Sequence, residues 1–337
     1  MAKFYYGGQA VIEGVMMRGR SSVAMSVRRN DGSISLYEEA LSPRLYQNRL
    51  FRLPFLRGML LLWEMLVLGT RLMTLSANMS VSDLQTDMSG TQATSPEDAT
   101  ASSDVEPKPD QPQKAQIGGL SLVLTLLVSL SIVVAVFFVG PLLVTNLLRS
   151  QIGDGWLNIT LEGIIRLGLL IGYLYLIGRV ADIQRVFGYH GAEHKAINAM
   201  EQGDPLDVEH VRRASRVHTR CGTGFLLLVM VVSIFVFALI GSPSLLIKVV
   251  SRIVLVPVVA GIAYELMRLG AANYRFRVVR WLLAPGLALQ GLTTREPDDN
   301  MIECAITSLK CVIDRDQPQA VGSEQAHLAR SPLAISQ

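Results

Sequence analysis

The sequence predicts a mainly α-helical, polytopic membrane protein of about four spans, with a small N-terminal β unit and interfacial helices. Half of the 337 residues are hydrophobic, mean hydropathy is +0.35 and charged residues are held to 18%. That balance is too apolar for an average soluble domain. Long apolar runs recur after residue 117, and basic residues collect in the segments between them. The N-terminus lacks the basic start and apolar core of a cleavable secretory signal, so insertion is expected to rely on internal segments.

Residues 1–52 read as a small β-rich cytosolic unit. Residues 9–17 form a mixed apolar run, and residues 22–29 and 33–41 flank Asn30, Asp31 and Gly32, a hairpin signal. Residues 53–77 read as an amphipathic or interfacial helix, with Arg57, Glu64 and Arg71 on one narrow stripe. Residues 78–116 turn to Ser, Thr, Asp, Gln and Pro without periodicity, as a disordered cytosolic linker does.

The membrane domain covers residues 117–292. Its first span, near 117–148, is charge-free and longer than the ~20 residues a spanning helix needs. In the second, near 156–180, Glu162 and Arg166 are placed to pair, and Gly168 and Gly172 offer a small-residue face. The third lies near 222–244, again without charge. The fourth, near 245–267, is interrupted by Lys248, Arg252 and Glu265, and is expected to form with the two bases snorkelling to the outer surface. A cytosolic loop, residues 181–221, joins the second span to the third. Residues 281–292, split by Pro285, are too short to span and belong at the interface or in a re-entrant turn. Residues 293–314 carry Ile302, Ala305, Ile306 and Leu309 in the pattern of a cytosolic amphipathic helix, capped by an aspartate after Pro297. Residues 315–337 read as a disordered tail.

Orientation follows from the basic residues. Arg18, Arg20, Arg28, Arg29, Arg44 and Arg49 precede the spans; Arg185, Lys195, Arg212, Arg213, Arg216 and Arg220 lie in the middle loop; Arg268, Arg275, Arg277 and Arg280 follow the last span. All three groups belong in the cytosol, which requires an even number of spans and both termini inside. The same bias explains the basic residues without nucleic acid, and no phosphate-binding glycine loop is present. Cys221, Cys304 and Cys311 form no even framework and fall on the cytosolic side, which argues against structural disulfides.

Chemistry is expected at residues 190–194. His190 and His194, four apart on a helix, point the same way and reach one ion, while Glu193 sits where a general base could activate water. This is the His-x-x-Glu-His order of inverted zinc peptidases, in which a downstream carboxylate completes the ligand set. Glu265 is the first choice for that ligand and His218 the second, with Cys221 competing. The cofactor expected is a divalent metal, zinc by donor type, and the reaction a hydrolysis at the cytosolic membrane face.

Plainer readings stand beside this one. His190 and His194 could be solvated residues of a loop helix, Glu265 could pair with Arg220 or Arg268, and Cys221 could be a small buried hydrophobe. His210 reads as solvated, Cys304 and Cys311 as part of a packed helix face, and His327 has no assigned role. The alternative function is a non-catalytic assembly or quality-control factor with a structural metal or polar cluster. Expected partners are the lipid bilayer and membrane or cytosolic proteins. A transporter fits less well, since no inverted repeat is visible.

Several stretches carry a family resemblance: Gly-Gly-Gln-Ala-Val-Ile-Glu-Gly-Val-Met-Met-Arg-Gly at residues 7–19, residues 190–195, Arg220-Cys221-Gly222-Thr223, Ala263-Tyr264-Glu265 and Leu-Thr-Thr-Arg-Glu-Pro at residues 292–297. In this order they resemble the bacterial YqhQ-like family, domain of unknown function 1385, over nearly the whole chain apart from linker and tail. The resemblance implies a bacterial membrane protein of unknown function for which metal-dependent enzyme activity is predicted. It assigns neither a third ligand nor a role to Glu13. The stretch around Glu13 is expected to be a strand docking onto the membrane domain, the alternative being that Glu13 faces the metal site.

Overall fold

The structure, a computed structural model, describes residues 6–41, 56–90, 119–153, 155–240 and 244–316. The expected tail and most of the expected linker lie outside them. The chain divides into two units, one built on the N-terminal strands and one on the apolar helices.

In the first unit β1 (Gly7–Val11), β2 (Gly14–Arg18), β3 (Ser22–Arg28) and β4 (Ile34–Ala40) form an antiparallel meander. The expected hairpin joins β3 to β4, with Gly32 at φ 83° and the Ser33 N–H donating to Asp31 at 2.8 Å. Residues 9–17, expected as one run, are two strands that reverse at Ile12 and Glu13. Val15, Met16 and Met17 are all buried, so β2 shows no alternation, the signature of a strand covered on both faces.

Two long helices and a short one complete this core. In α5 (Ala181–Gln202), Tyr189, Ala192, Ala196 and Ile197 pack with Met17 and Ala24 of the sheet. In α11 (Asp299–Asp316), Ile302, Ala305, Leu309 and Val312 fill the same core, and Asp298 caps the helix by accepting the Met301 N–H at 2.9 Å. The short α6 (Val208–Arg213) starts at Asp207, which accepts the His210 N–H at 2.9 Å. Much of the expected cytosolic loop 181–221 is therefore helix, because its small residues form a buried stripe.

The second unit contains α1 (Leu56–Gly90), α2 (Gly119–Val134), a π-helical turn (Ala135–Val139), α3 (Gly140–Leu147) and α4 (Trp156–Ile177). It continues with α7 (Gly222–Ala238), α8 (Leu245–Val254), α9 (Val256–Ala272) and α10 (Arg277–Thr293). Leu56–Ser80, Val123–Leu147 and Trp156–Ile177 are long and apolar enough to cross a membrane, and α8 with α9 makes a fourth candidate if the pair is one span. The helix expected at the interface is thus itself long and apolar enough to span. It also runs on into the segment expected as linker, in keeping with the low cost of extending an existing helix.

Expected span 222–244 is a helix of 17 residues. Expected span 245–267 is broken, α8 and α9 meeting at 48° where Pro257 opens α9. Residues 281–292 belong to one helix that continues through Pro285.

Lys248 and Arg252 do not snorkel; they are 8% and 3% exposed. Glu162 is the reason for Arg252, whose Nε and Nη2 donate to its two oxygens at 3.0 and 2.8 Å. Arg166 donates to Glu162 at 2.5 Å, to Ser233 Oγ at 2.6 Å and to the Phe137 carbonyl in the π-helical turn at 2.9 Å. The expected pair of Glu162 and Arg166 is therefore present, within a larger buried network.

Candidate metal centre

Small residues set the surroundings of the histidines. A Cβ on Gly191 would lie 2.1 Å from the Arg295 carbonyl oxygen, and one on Gly188 would lie 2.7 Å from the Met301 sulfur. The Arg295 N–H donates to the Phe187 carbonyl at 2.9 Å, so the segment after α10 lies directly on α5. Gly8 works likewise: its Cβ would sit 2.8 Å from Glu193 Cγ. Strand β1 consequently covers Glu193, which is 4% exposed.

His190 is half-buried and His194 fully buried. Their rings face one another with centroids 4.4 Å apart and planes at 64°. His194 Nδ1 lies 2.5 Å from the Arg216 carbonyl oxygen. A carbonyl only accepts, so Nδ1 carries a proton, and in the neutral ring Nε2 is then the nitrogen with a lone pair for a ligand. The same Nε2 is 3.6 Å from a Glu193 carboxylate oxygen.

Neighbouring side chains hold the segment that supplies that carbonyl. Lys195 Nζ donates to the Arg212 and Ala214 carbonyls at 2.6 and 3.0 Å, and Asn198 donates to the Ser215 carbonyl at 2.7 Å. Lys195 also pairs with Glu296 at 2.7 Å, which takes Arg216 Nε at 3.0 Å. Such buried carbonyls need partners, and α5 provides them.

His190, Glu193 and His194 belong to the first unit, whereas Cys221, His218 and Glu265, the candidates weighed for a third ligand, belong to the second. Cys221 caps α7, its sulfur accepting the Thr223 N–H at 3.4 Å. The His218 N–H donates to Gln290 at 3.0 Å, and Gln290 donates back to the His218 carbonyl at 2.8 Å. Thr223 and Thr293 share a hydroxyl hydrogen bond of 3.0 Å, which joins two of the stretches singled out in the sequence.

Glu265 accepts two hydrogen bonds from Arg57, at 2.9 and 2.5 Å. Arg220 and Arg268 were the partners weighed from the sequence; Arg57 is 208 residues away and no local spacing points to it. Glu13 accepts two hydrogen bonds from Arg185 and a third from the Tyr189 hydroxyl at 3.4 Å. That hydrogen bonding holds the Arg185 guanidinium above its usual range, and burial raises the Tyr189 phenol. Glu13 therefore anchors the β1–β2 turn to α5, within the first unit. The Arg216 carbonyl and Gly8 were missed, since a main-chain acceptor leaves no trace in a sequence.

Residues 53–315 match the family of proteins of unknown function DUF1385. The chain is also similar to the uncharacterized protein YqhQ of Bacillus subtilis (strain 168), at 36% identity over 307 residues, 90% of each chain. No solved structure matches. Matched over most of its length by the family and nearly end to end by this relative, the chain belongs to the DUF1385 family.

Proposed function

We propose that this protein is a zinc-dependent hydrolase of the bacterial cytoplasmic membrane, with His190, His194 and Cys221 as metal ligands, Glu193 as general base and its site facing the cytosol. The observation that carries the reading is the His194 ring, held by the Arg216 carbonyl so that Nε2 is left as a donor beside His190 and Glu193. Two imidazoles and a thiolate suit zinc, and three protein ligands are the number that catalytic zinc sites use. A bound zinc ion supplies a water acidic enough to react near neutral pH. Glu193 would be the group placed to accept a proton from such a water, and β1 limits solvent around the carboxylate. With Glu265 engaged by Arg57, Cys221 is the better third donor.

Membrane placement is supported by helices that are apolar outside and charged inside. In α4, Leu176 is 66% exposed while Arg166 is 1% exposed. Water would reward the opposite arrangement.

Zinc content of the detergent-purified full chain tests the proposal. One equivalent is expected in the native chain and in Glu193→Gln and Glu265→Gln, with loss in His194→Ala and Cys221→Ser. A native chain without zinc would sink it; loss in Glu265→Gln with retention in Cys221→Ser would restore Glu265 as the ligand. The second reading is a structural metal in an assembly or quality-control factor acting with membrane or cytosolic proteins. It is favoured by the way α5 side chains clasp residues 212–216. It predicts that Glu193→Gln keeps both its zinc and its ability to complement a deletion strain, whereas the hydrolase loses the latter.

A further inference from the structure

The helical unit contains an apolar cavity of about 540 Å³ between α7, α9 and α10. Its lining runs from Phe276, just before α10, along that helix to Gln290. At ~1.5 Å per residue this is roughly 20 Å, enough to accommodate a chain as long as one bilayer leaflet, ~15 Å. Gly224 and Gly286 let α7 and α10 approach, a Cβ on Gly286 lying 3.6 Å from Gly224 Cα. Leu269 and Leu282 belong to the lining and are 61% and 63% exposed, so the cavity opens to the surroundings of the unit.

Charge gathers at one end. The turn between α9 and α10 carries Phe276 in the lining, and Arg275, Arg277 and Arg280 beside it are all exposed. Arg275 stacks on the Phe276 ring at 4.7 Å. Among the described residues none of these three arginines forms an ion pair with a carboxylate. The positive-inside bias accounts for basic residues near a span, but it does not account for their adjoining the mouth of an open apolar cavity.

We infer that this cavity holds one acyl chain of an anionic phospholipid whose phosphate is bound by Arg275, Arg277 and Arg280. Apolar length selects the chain and the arginines select the headgroup. A partner helix would fill the same groove without needing an anion at its end.

The full chain in mild detergent can be titrated with dioleoyl phosphatidylglycerol or dioleoyl phosphatidylcholine and read by native mass spectrometry. The native chain should retain one phosphatidylglycerol in preference to phosphatidylcholine. Replacing Arg275, Arg277 and Arg280 together by Gln should lower that preference about a hundredfold, roughly fivefold per arginine. Val231→Trp, entering from an exposed part of the wall, should abolish retention of either lipid. Both variants are compared at matched size-exclusion profiles, with Leu266→Trp replacing Val231→Trp if the latter does not fold. Equal retention of the two lipids by the native chain, or full retention by the cavity-filling variant, would overturn the inference.

Discussion

Gly191 illustrates how much one missing methyl group determines. Its neighbour is a main-chain oxygen 2.1 Å from where a Cβ would stand, and that segment is tied to α5 by its own hydrogen bond. Backbone cannot yield as a side-chain tip does, so Gly191→Ala should destabilise the full chain by about 1–3 kcal/mol. Gly7→Ala, with nothing within 4 Å, should be near neutral. Thermal unfolding in detergent by circular dichroism compares them. Cys304 gives a pH-dependent test at the same scale. Burial is the main cause that pushes its thiol up to about 11 from an ordinary 9.0. Below pH 9 the thiol is protonated in both folded and unfolded chains; between pH 9 and 11 the unfolded thiol ionises first, and stability falls. The loss should be about 2 kcal/mol, and Cys304→Ala should flatten the slope. Tyr189, also raised by burial, leaves part of it in place. An unchanged slope in Cys304→Ala would count against the assignment.

At the scale of elements, what the sequence revealed depended on distance along the chain. Glu162 and Arg166 are four apart on one helix, and their pairing was readable from spacing alone. Arg252 joins the same carboxylate from 90 residues away, where no periodicity records it. The β3–β4 hairpin was announced by Asp31 and Gly32, whereas the β1–β2 reversal places Glu13 at φ 55°, a conformation its residue type does not advertise. At the candidate site the same division holds: His190, Glu193 and His194 are local and were legible. No third donor was legible, because Cys221, His218 and Glu265 could be ranked only by expected depth. The buried network makes an asymmetric prediction. Removing Glu162 strands two cations, whereas removing Arg252 leaves a neutral pair of Glu162 and Arg166. Breaking a buried pair costs about 3–5 kcal/mol, while exchange for an apolar residue is often close to neutral. Glu162→Ala should therefore lower the unfolding temperature much more than Arg252→Met, and the reverse order would contradict the network's role.

For the whole molecule, the first unit constrains how the chain can thread a bilayer. Its single core draws on β2, β3, α5, α6 and α11, so all of them lie on one side of any membrane the chain crosses. Crossings between residues 41 and 185 must be even in number, and so must those between 217 and 293. The second interval satisfies this with α7 and the bent pair of α8 and α9. Among the described residues the first contains three qualifying stretches, an odd number, so with these stretches alone one of them must stay on its starting side. Val123–Leu147 and Trp156–Ile177 act together: the short connection between them and the hydrogen bond from Asn158 to the Thr145 carbonyl at 3.3 Å make them a hairpin. Leu56–Ser80 has the lowest mean hydropathy of the three, 1.4 against 2.8 and 1.6. It also carries Glu64 and Arg71, as an interfacial helix does. We therefore expect α1 to remain at the cytosolic face. Single cysteines at Asp31, Gly90 and Gly155 can be treated in intact cells with a membrane-impermeant maleimide, with the unaltered chain as background. Gly155→Cys should label before lysis, and Asp31→Cys and Gly90→Cys only after it. External labelling of Gly90→Cys would place α1 across the bilayer; the chain would then need a further crossing before residue 185 to return its first unit to one side.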